Sequence, residues 1–203
     1  MSVSAAEATL DGMLAEIRAE FPRFRLVPKR DDRLSHVIDR LLRVVTLGAQ
    51  HEYLSHYHTV IFNTLYVPDG WDRIPEIRQV VTLRHERVHL RQSRRYGFPL
   101  MAFLYTVPFF PLGLAYGRAR IEWEAYEETI RATAELLGLE EAESAVLRTR
   151  IIEQFTSGAY GWMWPFPRRV NRWYDDALER IRARERAPST EAITPPTQGN
   201  IDS

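Results

Sequence analysis

The pentapeptide His85-Glu86-Arg87-Val88-His89 is the part of this sequence best suited to chemistry. On a helix, two residues four apart lie about 40° apart around the axis and one turn along it, so both imidazoles can reach one ion at about 2.0–2.1 Å. Glu86 falls on the flank of that pair, where it is badly placed as a ligand but well placed to take a proton from water beside the ion. The chain has no cysteine, which excludes disulfides, thiolate catalysis and sulfur-rich metal sites. A transition-metal site must then be built from imidazole and carboxylate, and the third ligand must come back from another element. No histidine follows His89, so the downstream candidates are the carboxylates of Arg120-Ile121-Glu122-Trp123-Glu124-Ala125-Tyr126. Glu122 shares a helical face with Tyr126, with Ala125 beside them as a small residue that permits close helix approach. Glu124 lies about 200° further round the helix, so only one of the two can face the ion; Glu122 is preferred and Glu124 is the alternative.

Positioning these groups requires helices on either side of the gap between them. Leu10, Met13, Leu14, Ile17 and Phe21 recur at helical spacing over 5–21, and Pro22 stops that helix. Residues 24–27 read as extended. Asp31 and Asp32 offer an N-cap for a second helix through Val45, ended by Gly48. The run 59–67, TVIFNTLYV, predicts one strand followed by a Pro68-Asp69-Gly70 turn. Pro75 opens the motif helix, which continues through Arg95 to Gly97. Further helices are predicted over 120–137, ended by Gly138, over 140–156 and over 169–186. The expectation is a mainly helical α+β domain with a small β-sheet over 1–187, and a disordered C-terminal tail over 188–203.

The arrangement resembles the zincin metallopeptidases of gluzincin type, in which a His-Glu-x-x-His helix is joined by a glutamate from a later helix. It is most similar to membrane-associated families whose second motif reads Glu-x-x-x-Asp with Ala before the Asp. Glu122 matches the ligand position and Ala125 the small residue, while Tyr126 stands where those families carry Asp. The ordered series NTLYVP, HERVHLRQ with Tyr96-Gly97, EWEAY and YGWMWP, over 59–165, also resembles a group of small bacterial and phage-encoded zincin-like proteins. The resemblance implies a zincin-like fold and one zinc held by His85, His89, Glu122 and a water. It further implies Glu86 as general base in hydrolysis of a peptide or protein substrate. The strand 59–67 would then lie along the cleft and pair with an extended peptide. Tyr126 and Tyr160 are candidate oxyanion donors or supporting groups, because phenols donate hydrogen bonds. The alternative function is a non-catalytic zincin-like metal-binding interaction module.

Composition narrows the remaining choices. Lys+Arg and Asp+Glu both number 27, so no global field favours nucleic acid. The last helix sets seven arginines from Arg168 to Arg186 against Asp175, Asp176, Glu179 and Glu185, but no nucleic-acid motif accompanies it, and no specific nucleic-acid partner is expected. The N-terminal stretch lacks a basic segment followed by an apolar one, which predicts a cytoplasmic protein. Residues 96–117 form a run of 22 without Asp, Glu, Lys or Arg, interrupted by Pro99, Pro108 and Pro111. Only 32 residues separate His89 from Glu122, too few for two crossings of about 20 each, so the run is expected to be a buried or membrane-surface hairpin giving peripheral membrane contact. His51, His56 and His58 cluster before the strand without a carboxylate to complete a second site. His36 carries no role, and Trp162, Trp164 and Phe166 are expected to lock a loop onto the core.

Overall fold

The computed structural model describes residues 9–28, 59–61, 63–97, 99–101, 104, 116–157 and 163–186. Among them the fold is mainly helical α+β, as expected. Helix α1 (Leu10–Glu20) starts where the Thr9 hydroxyl accepts from the Gly12 amide at 3.2 Å, and it buries Met13 and Ile17. Strands β1 (Arg25–Pro28), β2 (Thr59–Ile61) and β3 (Thr64–Val67) make a three-stranded sheet in the order β1-β3-β2. β1 runs parallel to β3, with Leu26 opposite Leu65, and β2 is antiparallel to it, with Ile61 opposite Thr64. The expected single strand over 59–67 is therefore a hairpin. Asn63 sits in its turn, and folding the β-rich run back on itself gives both halves a backbone partner.

A 3₁₀ turn at Trp71–Arg73 leads into α2 (Glu76–Tyr96), capped by Pro75 and closed at Gly97, whose φ of 75° suits glycine. Helix α3 (Tyr116–Leu137) begins four residues earlier than the predicted start and stops at Gly138, with φ 98°. The helix expected over 140–156 is instead two, α4 (Leu139–Glu143) and α5 (Ala145–Thr156). Ser144 breaks it: its backbone is extended, with ψ 141°, and its hydroxyl accepts from the Leu147 amide at 3.2 Å, which makes it an N-cap inside a periodic run. Helix α6 (Pro167–Arg186) opens on a proline and buries Val170, Tyr174, Ala177, Leu178 and Ile181 along one stripe.

Two apolar clusters result. The first packs Met13, Ile17 and Phe21 against Leu65, Val67, Trp71, Val80, Leu83 and Leu90. The second gathers Trp123, Ile130, Ile151, Phe155, Met163 and Tyr174 from α3, α5, α6 and the segment before α6. Tyr174 is fully buried, and its hydroxyl donates to the Ala142 carbonyl at 2.7 Å; burial pushes its pKa up to about 12. Trp164 is buried and stacks on Trp173, and its amide donates to the Phe155 carbonyl, which ties the aromatic segment to the core as expected; Phe166 remains 46% exposed. The expected helix over 31–48, His36, His51, His56, His58, Tyr160, Trp162, the tail and most of 96–117 lie outside the described residues. Among the described residues, no helix is long and apolar enough to cross a membrane.

Helix α2 lies between α1 and α3, and ion pairs fix it on both sides. Toward α3, Arg84 donates to Glu128 at 2.7 Å and to Glu135 at 2.6 Å, with its side chain only 12% exposed, and Arg131 also pairs with Glu128. Toward α1, Glu20 accepts from Arg87 at 2.7 Å, Arg91 at 2.7 and 2.8 Å, and Arg94 at 3.2 Å. Arg87, inside the histidine motif, also donates to Glu16 at 3.0 Å. The hydrogen bond from Arg91 leads the effects that hold the Glu20 carboxyl down to about 2, against the opposing effect of burial; Arg87 adds to the lowering. Because this folded-state pKa lies below the ordinary value, the clamp contributes fully above about pH 4.5 and is lost as the pH falls through about 2. Glu20→Gln is expected to lower the unfolding free energy at pH 7 by about 1–3 kcal/mol. Urea titrations at several pH values should show the gap between wild type and E20Q narrowing steadily in acid.

Candidate metal centre

The site lies where the inner faces of α2 and α3 meet. Leucine and valine at positions 80, 83 and 90 turn part of α2 toward the first cluster, and Arg87 and Arg91 reach toward α1. That rotation leaves His85 and His89 facing α3. On α3, Ala125 is fully buried, and its single methyl lets the helices approach closely. Glu122, Tyr126 and Thr129, spaced by four and three residues, share the facing stripe.

Three ligand atoms converge there. His85 Nε2 and His89 Nε2 are 3.2 Å apart, and a Glu122 carboxylate oxygen lies 3.6 Å from His89 Nε2. One ligand atom from each of the three residues falls within 4.8 Å of the others. Two nitrogen ligands at about 2.0–2.1 Å in a tetrahedral shell stand about 3.3–3.4 Å apart, so the histidine spacing suits one divalent ion. His89 and Glu122 are 8% and 9% exposed, and Glu86 is 6% exposed. The sequence preference for Glu122 over Glu124 agrees with this grouping, since Glu124 belongs to the exposed side and accepts from Gln92 Nε2 at 2.9 Å.

The electrostatics of the seam favour a positive charge. Burial would depress the pKa of His89, yet the charge of Glu122, helped by Glu86 and a hydrogen bond with Gln92, raises it to about 9. Burial would likewise lift Glu122, and the charges of His89, His85 and Arg118 hold it down to about 2. Such a pocket holds an anionic carboxylate beside imidazole and stabilises whatever cation occupies the space between them.

The two remaining imidazole nitrogens have fixed partners. His85 Nδ1 stands 2.9 Å from Thr129 Oγ1, and His89 Nδ1 stands 2.9 Å from Gln92 Oε1. Gln92 is 4% exposed, and its amide nitrogen also donates to the Ile121 carbonyl at 3.0 Å. Gln92 closes the HERVHLRQ segment of the sequence, but its pairing with His89 is not visible there, and Thr129 is missed altogether. The signal for Thr129 was its place seven residues after Glu122, on the same face as Tyr126. Tyr126 packs edge-on against the His85 ring, centroids 4.8 Å apart, and against Phe155 at 5.5 Å, so its ring forms a wall of the site. Tyr160 lies outside the described residues.

No family model matches the chain, and neither a curated protein nor a solved structure matches it. The geometry yields its own discriminating experiment on the third ligand. Glu122→Ala should weaken divalent-metal binding on the order of 100-fold or more, whereas Glu124→Ala should still take up one ion per chain at saturating metal. Titration calorimetry on both variants separates them, and the reverse pattern would reassign the ligand to Glu124.

Proposed function

We propose that this chain is a zinc-dependent metallopeptidase of zincin-like type, with His85, His89 and Glu122 as metal ligands and Glu86 as general base. The observation that carries the proposal is the convergence of two imidazoles and one carboxylate from separate helices on a single space. Zinc is the preferred ion because the donors are two nitrogens and one oxygen with no sulfur, a set that leaves a fourth position for water in catalytic zinc sites. Bound there, the ion supplies Lewis acidity and lowers the pKa of water.

The protein's own groups supply the proton transfers and the walls. Glu86 takes the proton of the attacking water and returns it to the leaving amine, the role of a buried carboxylate one residue after the first ligand. Its low exposure keeps bulk water from competing for that proton. Tyr126 holds the His85 ring edge-on and offers a phenol for the developing oxyanion. The substrate is a peptide or protein, and the chain acts in the cytoplasm, with 96–117 making peripheral membrane contact.

A second reading, a non-catalytic metal-binding interaction module, draws on the burial of Glu86 and Glu122, which narrows the approach for a substrate. Two measurements decide. Protein purified without an affinity tag under metal-replete conditions should contain about one zinc per chain. Glu86→Gln should keep that zinc and lose cleavage of a broad peptide library by about 100-fold or more. Zinc retained with equal turnover in both proteins would reject Glu86 as the base, and zinc without turnover in wild type would favour the interaction module.

A further inference from the structure

Both histidines are useful as ligands only if the nitrogen facing the shared space carries a lone pair, and the residues behind the rings bear on that. The Gln92 amide nitrogen is held by two acceptors at once, the Ile121 carbonyl at 3.0 Å and a Glu124 carboxylate oxygen at 2.9 Å. Turning the amide over would set its oxygen against both, so Oε1 is the atom presented to His89 Nδ1. An amide oxygen can only accept, so His89 Nδ1 carries a proton in either charge state of the ring, and Nε2 is the nitrogen turned to the shared space. Thr129 acts in the same sense on the other ring. Its hydroxyl donates to the Ala125 carbonyl at 3.2 Å, which leaves its lone pairs to accept from His85 Nδ1 at 2.9 Å. All three polar groups are satisfied in that arrangement, and His85 Nε2 is again the nitrogen turned to the shared space, 3.2 Å from His89 Nε2.

We infer that Gln92 and Thr129 are positioning residues that hold His89 and His85 in the Nδ1–H form with Nε2 aimed at the metal, and that Glu124 serves as the anchor that fixes the Gln92 amide. The inference rests on the metal-centre reading above and assigns Glu124, the rejected ligand, a separate task. The chain of contacts runs Glu124, Gln92, His89, so an exposed carboxylate on α3 sets the state of a buried imidazole on α2. Removing Gln92 leaves the His89 ring free to carry its proton on Nε2, where it blocks ligation, and removes the brace on the ring plane. The loss therefore appears as weakened metal affinity and a changed coordination geometry, both without any substrate.

The experiment is competition of each protein against a chromophoric chelator for zinc, paired with visible spectra of the cobalt(II)-loaded forms and circular dichroism of the fold. Gln92→Leu and Thr129→Val should each bind zinc about 10–100-fold more weakly than wild type and shift or weaken the cobalt bands. Thr129→Ser, which keeps the hydroxyl, should return to within about threefold of wild type, and Glu124→Ala should fall between. Should Q92L fail to fold, the T129V and T129S pair and the exposed Glu124→Ala position decide. Folded T129V and E124A proteins that bind zinc as tightly as wild type, with unchanged cobalt spectra, would overturn the positioning role while leaving the centre intact. Wild type that takes up no zinc would instead remove the centre, and this role with it.

Discussion

Burying a carboxylate against two imidazoles is costly unless something holds the elements that carry them, and the pairing of α2 with α3 meets that cost. Glu122 and His89 are each less than a tenth exposed, so either group alone would be driven toward its neutral form. Together, 3.6 Å apart, they stabilise one another's charge, but only while the helices stay in register. A shift of one turn along α2 would move the imidazoles by about 5.4 Å and leave at most one of them opposite Glu122.

That register is maintained from outside the site. Arg84, immediately before His85, reaches two glutamates of α3 at 2.7 and 2.6 Å, and Arg87, immediately after Glu86, reaches two glutamates of α1. The His85-Glu86 pair is thus flanked by partly buried arginines pulling to opposite sides, with the histidines on the stripe between them. Planar, many-donor guanidinium groups suit this work, since each can engage two carboxylates in defined directions. The arrangement also gives a physical use to part of the arginine bias in a chain whose only lysine is Lys29.

The polar network continues from the seam to the surface through Gln92 and Glu124, and from the seam into the second cluster through Tyr126 and Phe155. The first path is made of directional hydrogen bonds and orients a ring. The second is made of aromatic contacts and limits where the other ring, that of His85, can tilt. One imidazole is therefore braced by an amide and the other by a hydroxyl and a phenol ring, so the two halves of the donor set are supported by different chemistry.

Local information in the sequence determined the motif helix, its Pro75 and Gly97 boundaries, the absence of sulfur ligands and the rule that Glu122 and Glu124 face different sides of their helix, because helical phase fixes which side chains share a face. It also determined the mainly helical α+β class, since the apolar periods are strong. The hairpin at Asn63 and the break at Ser144 were decided by tertiary structure, where a turn residue or a hydroxyl cap outweighs a periodic run once both flanking segments find partners to pack on. The roles of Gln92, Thr129 and Glu124 were likewise decided only there. Each depends on which carbonyl, ring or carboxylate a different helix brings within hydrogen-bond distance, and no spacing along one helix contains that distance.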